Sequence, residues 1–266
     1  MFGATLHLKN DQSLQVRAPA SRALERMYYY MRFPASAAEQ TLQFVAPDGA
    51  LVEVPAGDVV SLEIPPPHAL VRDFLTEAER GQVIDFMLRH TGHFQNSGVH
   101  EAPSANAFAP TAYRIRKSRV IDGPANGTLA AMMMPKLQAL MLGLWPQLGI
   151  DPLPINHMEC QITAHGDGDF FAVHTDNGTP EIAHRQVSYV YYFHRDPKQF
   201  SGGRLALFHT LIEGGKARCG RPAVDIDPPA NGLMIFPTFI FHEVTPITCA
   251  STALTDQRLT LNGWMF

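Results

Sequence analysis

His174 and Asp176 stand one residue apart in FFAVHTDNG. In an extended strand, residues i and i+2 share a face, so this imidazole and carboxylate are expected to converge on one point. His242 closes a second apolar stretch, FPTFIFHEV, far downstream. Two imidazoles and one carboxylate form the facial donor set of non-haem Fe(II) sites, which leaves coordination positions open for a co-substrate and O2. A structural zinc site would call instead for four closed ligands.

Arg258 lies among apolar neighbours in QRLTLNGW. A cation at such a position is costly unless an anion meets it, and a guanidinium grips a carboxylate through two parallel hydrogen bonds. Thr260, two residues on, shares its face. Arg258 and Thr260 are therefore candidates for holding the distal carboxylate of a dicarboxylate co-substrate. Arg114 and Arg116 in YRIRKSRVI also share a strand face. They read either as a solvated surface or as a substrate anion site near the mouth of the fold. His165, His184, His194 and His209 read as loop or strand-end histidines, and Glu243 faces away from its neighbour His242. GDGD at 166–169 reads as a turn, being too short for a calcium loop.

These residues need strands to carry them. The segments HMECQITAH, DFFAVHTD, QVSYVYYF, GRLALF, GLMIFP, FHEVTP and RLTLNGWMF are short, apolar or alternating, and separated by turn residues such as Gly202-Gly203 and Pro228-Pro229. Such a series indicates a sandwich or barrel. A helix is expected from Thr76, with Glu79 closing a capping box, a buried stripe of Val83, Phe86 and Met87, and an end at Gly92. A second is expected over Leu129–Leu144, with Met133, Leu137, Leu140 and Leu144 on one face and a kink at Pro135. Residues 1–66 read as a small α+β extension. It holds strands near Ala4–Leu8 and Leu14–Val16, a helical stretch around Ser21–Met31, a hairpin turning at Asp48-Gly49 and a strand VVSLEI. Pro65–Pro67 follow as a stiff linker. This extension is read as either structural or, in a homodimer, dimerising; residues 67–266 hold the chemistry.

Composition narrows the classes. The chain has 266 residues with 45% hydrophobic and 17% charged residues, which is ordinary globular usage. Its formal charge of −4 and lack of a basic block argue against nucleic acid as a partner. No apolar run reaches the length of a membrane span, and the start lacks a secretory pattern. Cys160, Cys219 and Cys249 are odd in number and far apart, as expected of reduced thiols in a cytoplasmic protein. No GxSxG, HExxH or Walker pattern appears.

The order GDGDFFAVHTD, VSYVYYF, FSGGRLALF, GLMIFPTFIFHEVTP and RLTLNGW resembles the Fe(II)/2-oxoglutarate-dependent dioxygenases, in their prolyl 4-hydroxylase-like branch. The resemblance covers residues from about 69 to 266 and implies a mainly β, double-stranded β-helix (jelly-roll) core with flanking helices. It implies that His174, Asp176 and His242 bind Fe(II), that Arg258 binds the 5-carboxylate of 2-oxoglutarate with help from the Tyr192 hydroxyl, and that Leu205 lines the co-substrate pocket. O2 is then the oxidant and ascorbate an accessory reductant. The implied reaction hydroxylates an unactivated C–H of an amino acid, a peptidyl residue of prolyl type or a small metabolite, with release of succinate and CO2. Two departures stand out. Many relatives carry a tyrosine near the position of His165, and the segment CASTALTDQ lengthens the stretch between His242 and Arg258. The competing reading is a cupin-like jelly roll that binds metal without 2-oxoglutarate turnover. The Arg258 and Thr260 pair argues against it, since such a protein needs no buried dicarboxylate clamp.

Overall fold

The computed structural model describes residues 2–18, 40–97, 115–123 and 126–266. The chain begins with β1 (Phe2–Leu8), β2 (Ser13–Ala18), β3 (Thr41–Val45), β4 (Leu51–Pro55), β5 (Val59–Ile64) and β6 (Ala69–Val71). Helix α1 (Glu77–Arg89) leads to β7 (Gln95–Asn96), β8 (Arg116–Lys117) and β9 (Arg119–Ile121), and helix α2 (Gly127–Leu148) follows. The remaining strands are β10 (Gln161–His165), β11 (Phe170–His174), β12 (Val187–Tyr192), β13 (Ser201–Gly202), β14 (Leu205–Glu213), β15 (Lys216–Ile226), β16 (Leu233–Pro237), β17 (His242–Val244), β18 (Ile247–Thr248) and β19 (Arg258–Met265).

These strands form two large antiparallel sheets. One, of seven strands, runs β6-β16-β12-β19-β10-β9-β7; the other, of ten, runs β4-β3-β2-β1-β5-β14-β17-β11-β8 with β15 on β14. Facing antiparallel sheets with helices outside one of them are the expected jelly roll. Strand alternation divides the seven-stranded sheet cleanly. Ile162, Ala164, Val187, Tyr189, Tyr191, Leu259 and Leu261 point outward into a core shared with both helices. The alternate residues, among them Thr163, His165, Ser188, Val190, Arg258 and Thr260, line a cavity between the sheets. Tyr192, Leu205, Leu207, Met234, Phe236 and Ile240 pack beside that cavity.

Helix α1 starts as its sequence dictates. Thr76 Oγ1 accepts from the Glu79 N–H at 3.3 Å, and a Glu79 carboxylate oxygen accepts from the Thr76 N–H at 2.9 Å. Lys136 of α2 pairs with Glu79 at 2.8 Å and clamps the two helices together. Hydrogen bonds from Lys136 and Thr76 hold the Glu79 carboxyl down at about 2.

Several expected boundaries shift. Helix α1 ends at Arg89 with His90 as its cap, and Gly92 sits in a 3-10 turn instead. Helix α2 is longer than its apolar stripe suggested and passes through both Pro135 and Pro146. Its buried face is Leu129, Met133, Leu137, Met141, Trp145 and Leu148, while Leu140 and Leu144 are only partly buried. YRIRKSRVI is not one strand: Arg116 and Arg119 fall on β8 and β9, which belong to opposite sheets.

The N-terminal strands carry their own apolar cluster, built from Leu6, Val16, Phe44, Val54, Leu62 and neighbours, and joined by Ile212 of β14. The Asp48-Gly49 hairpin forms as expected, with Gly49 at φ +92°. The helical stretch around Ser21–Met31 lies outside the described residues. Strand β5 pairs with Thr210–Glu213 of β14, and β17 pairs with Leu205–Leu207 of the same strand. Because β15 occupies the other side of β14 along its length, β5 and β17 lie end to end on one side.

Candidate active site

One corner of the cavity gathers His174, Asp176 and His242. Their ligand atoms all lie within 4.8 Å of one another. His174 and His242 are direct cross-strand partners at the ends of β11 and β17. Asp176 arrives differently from the strand alternation expected of it. The strand ends at His174, and Asp176 sits in the following turn, fixed by its N–H to the Thr238 carbonyl at 2.9 Å. The carboxylate still reaches both imidazoles, 3.5 Å from each Nε2.

The tautomers follow from the hydrogen bonds. His174 Nδ1 contacts the Ala172 carbonyl at 2.8 Å, and His242 Nδ1 contacts the Ile240 carbonyl at 2.9 Å. A carbonyl only accepts, so each Nδ1 carries a proton and each Nε2 presents its lone pair inward. That arrangement is the one metal-binding histidines require. Phe171 stacks on the His174 ring at 3.5 Å between centroids, and Phe236 meets the His242 ring edge-on at 4.8 Å. Ser188 Oγ donates to Asp176 Oδ2 at 2.6 Å from the opposite sheet, which leaves Oδ1 toward His174.

Charge follows the same logic. Burial alone would raise the Asp176 carboxyl, but His242, His174 and Ser188 together hold it below the usual carboxylate range. Burial, with His174 beside it, pushes His242 down to about 4 against the pull of Asp176. Two lone pairs and one carboxylate facing a common point suit a divalent cation, and the donor set is the one expected for Fe(II).

The other end of the cavity holds Arg258, 1% exposed and, among the described residues, the largest fully buried side chain. Its Nε donates to the Gly203 carbonyl at 2.7 Å, and its Nη2 has no partner. Among the described residues no carboxylate pairs with it. Gly203 is required here, because a Cβ would lie 2.6 Å from Arg258 Cδ and the residue adopts φ +61°. Leu205 lines the cavity from the facing sheet. Thr260 also lines it, but its hydroxyl is turned to Asn262 Oδ1 at 3.2 Å. Tyr192 is fully buried behind the wall, its ring 5.2 Å from the guanidinium carbon and its hydroxyl without a partner. Burial raises the Tyr192 phenol, and Arg258 opposes that rise.

Arg116 lies at the cavity wall over the Phe171 ring, 4.8 Å from its centroid. Among the described residues its hydrogen bonds go to neutral acceptors: Ser118 at 2.9 Å, Gln161 at 3.2 Å and Thr163 at 3.4 Å. Burial lowers it to about 10, although Asp176 and Asp122 work against that. Arg114 lies outside the described residues. Arg119 points elsewhere, donating to Gln257 at 2.7 Å. Sequence reasoning passed over Ser188 as a partner of Asp176, Asn262 as a polar hub, and His165, which lines the cavity beside Arg258. Period-two alternation along β10 and β19 was the available signal, since Gln161, Thr163 and His165 share one face and oppose Asn262, Thr260 and Arg258 in register.

Two imidazoles and a carboxylate at one corner of a jelly roll place this chain in the class of facial-triad jelly-roll proteins. Residues 160–266 match the family model described as the 2OG-Fe(II) oxygenase superfamily, so this part of the chain is similar to that superfamily. An uncharacterized PKHD-type hydroxylase of Synechocystis is 29% identical over 205 residues. The match takes in 77% of this chain and 65% of that protein, so the chain spans just under two thirds of the relative's length. Among solved structures, an oxidoreductase of the 2OG-Fe(II) oxygenase family from Burkholderia pseudomallei superposes with a TM-score of 0.50 at 13% identity, covering 75% of this chain and 84% of that one. The non-heme alpha-ketoglutarate-dependent epimerase SnoN from nogalamycin biosynthesis gives 0.50 at 12% identity, covering 76% and 79%. These two likenesses establish the shared fold.

Proposed function

We propose that the chain is an Fe(II)- and 2-oxoglutarate-dependent dioxygenase of the prolyl-hydroxylase-like branch. It hydroxylates an unactivated C–H of an amino acid, a peptidyl residue or a small metabolite, and releases succinate and CO2. The observation that carries this reading is Arg258, a buried cation with an unpartnered Nη2 and, among the described residues, no counter-charge, in the same cavity as the His-Asp-His corner. Such a cation awaits an anionic ligand, and the corner beside it suits the metal that the superfamily implies.

In this reading His174, Asp176 and His242 would hold Fe(II), which supplies the activation of O2 coupled to decarboxylation of the co-substrate. Ser188 fixes the Asp176 carboxylate, and the two backbone carbonyls fix the imidazoles. Arg258 takes the distal carboxylate; Thr260 rotates its hydroxyl to it, Tyr192 supports the guanidinium from behind, and Leu205 forms the apolar wall. Phe171 and Phe236 keep water from the imidazoles. Arg116, whose partners among the described residues are neutral, offers an anchor for an acidic group of the substrate. Ascorbate belongs to the proposal as an accessory reductant, as does a cytoplasmic setting. No helix among the described residues is long and apolar enough to cross a membrane. Residues 1–66 are proposed as a distinct extension that builds on the dioxygenase domain of 67–266 and pairs subunits.

The test is an anaerobic titration of Fe(II) into metal-free protein with and without 2-oxoglutarate. A visible metal-to-ligand charge-transfer band that needs both components is the expected result. Metal binding with no such band overturns the proposal.

A further inference from the structure

His165 and Arg258 face each other in the β10–β19 register, and His165 is only 3% exposed. Its Nδ1 lies 3.5 Å from Arg258 Nη1. A guanidinium has only protons to offer, so the ring nitrogen that faces it presents a lone pair. The remaining proton therefore sits on Nε2. That atom is buried and has no hydrogen-bond partner, as is true of Arg258 Nη2. Both residues line the cavity. The charged groups that act on the ring, Arg258 from β19 and Arg116 from β8, are both cations, and together with burial they keep it neutral. Two orphaned donors at one end of a cavity are costly while they lack an acceptor. One carboxylate, with about four lone-pair sites, satisfies both.

We infer that His165 donates its Nε2–H to the carboxylate that Arg258 binds, so that a guanidinium and a neutral imidazole grip the co-substrate together. This rests on the reading that the cavity takes 2-oxoglutarate. Arg258 then has two tasks: it holds the anion, and it orients the imidazole that holds the anion with it.

The test titrates 2-oxoglutarate into the full chain loaded with Mn(II), which binds without turnover, and follows the heat. His165→Phe is expected to raise the Kd about 10- to 100-fold, the loss of one buried charge-assisted hydrogen bond. His165→Asn keeps an N–H donor and is expected to stay within about fivefold of the wild type. Mn(II) affinity without 2-oxoglutarate should be unchanged in both. A His165→Phe protein that binds 2-oxoglutarate within twofold of the wild type makes His165 a packing residue and overturns the inference. Should that variant not fold, the nitrogen resonances of His165 in the wild type decide. An Nε2–H tautomer that shifts on adding 2-oxoglutarate supports the inference; an Nδ1–H tautomer, or resonances that do not move, overturns it. A wild type that fails to bind 2-oxoglutarate removes the proposed function and this role together, so the two failures are distinct.

Discussion

The two ends of the cavity are built on opposite principles. At the His-Asp-His corner the two imidazole Nδ1 atoms and one carboxylate oxygen have hydrogen-bond partners: the Ala172 carbonyl, the Ile240 carbonyl and the Ser188 hydroxyl. At the arginine end Arg258 Nη2, His165 Nε2 and the Tyr192 hydroxyl are all buried without one. The first end is preorganised and keeps its geometry before anything binds. The second is left incomplete, and its missing acceptor is what a ligand supplies. Preorganisation favours a metal that must find fixed donors; buried unpaired donors favour an anion over a neutral analogue, which would leave them orphaned.

That contrast can be broken from either side. The largest effect is expected from Asp176→Ala, which strips the proposed metal site of the one carboxylate it has among the described residues. Succinate formation should fall by at least about 1,000-fold and Fe(II) affinity should collapse, as a metal titration would show. Arg258→Met should leave Mn(II) affinity intact and raise the 2-oxoglutarate requirement about 100-fold. The same variant should melt no lower than the ligand-free wild type in calorimetry, because a buried unpaired cation has been exchanged for an apolar chain of similar length. An Arg258→Met protein that loses metal as well would show that the two ends are not independent. Ser188→Ala sharpens the comparison at the corner. Loss of a group that orients a ligand should weaken metal binding about 10-fold and leave the arginine end unaffected.

Acid acts on stability and leaves the contrast between the two ends untouched. His194, beside Tyr192, is pushed down to about 4 by burial and then by Arg258 and Lys198. The unfolded chain protonates this histidine near 6.5, whereas the folded chain resists until about 4. The unfolded state thus binds more protons in that window, and stability falls as pH drops through it. A loss of roughly 2–3 kcal/mol between pH 6.5 and 4 is expected from this group, seen as a lower urea midpoint. His194→Gln should flatten that slope.

Much of this was legible in the sequence because the chemistry depends on residue types that are rare in apolar strands. His174, Asp176, His242 and Arg258 stand out for that reason, and all face one cavity. What escaped depended on tertiary geometry. The strand pattern put Asp176 on β11, but a turn delivers it. YRIRKSRVI alternates smoothly, yet Ser118 marks a crossing between two sheets, so Arg116 and Arg119 part company. QITAH alternates polar with apolar residues, but that pattern equally describes a solvated face, and only the structure shows that the polar face carrying His165 is buried. Helix α2 runs through two prolines because its apolar face, packed against the sheet, outweighs their local cost.

Strand β14 has a consequence of its own. Half of one side pairs with β17, which begins at His242, and the other half pairs with β5. A chain trimmed to begin after Pro65–Pro67 would leave Thr210–Glu213 with bare amides and carbonyls, an open edge of the kind that recruits a neighbour's strand. Strands β1 to β5 thus act as a seam allowance for this sheet: β5 covers Thr210–Glu213, and the open border is moved outward to β4, away from the strands that carry His174 and His242.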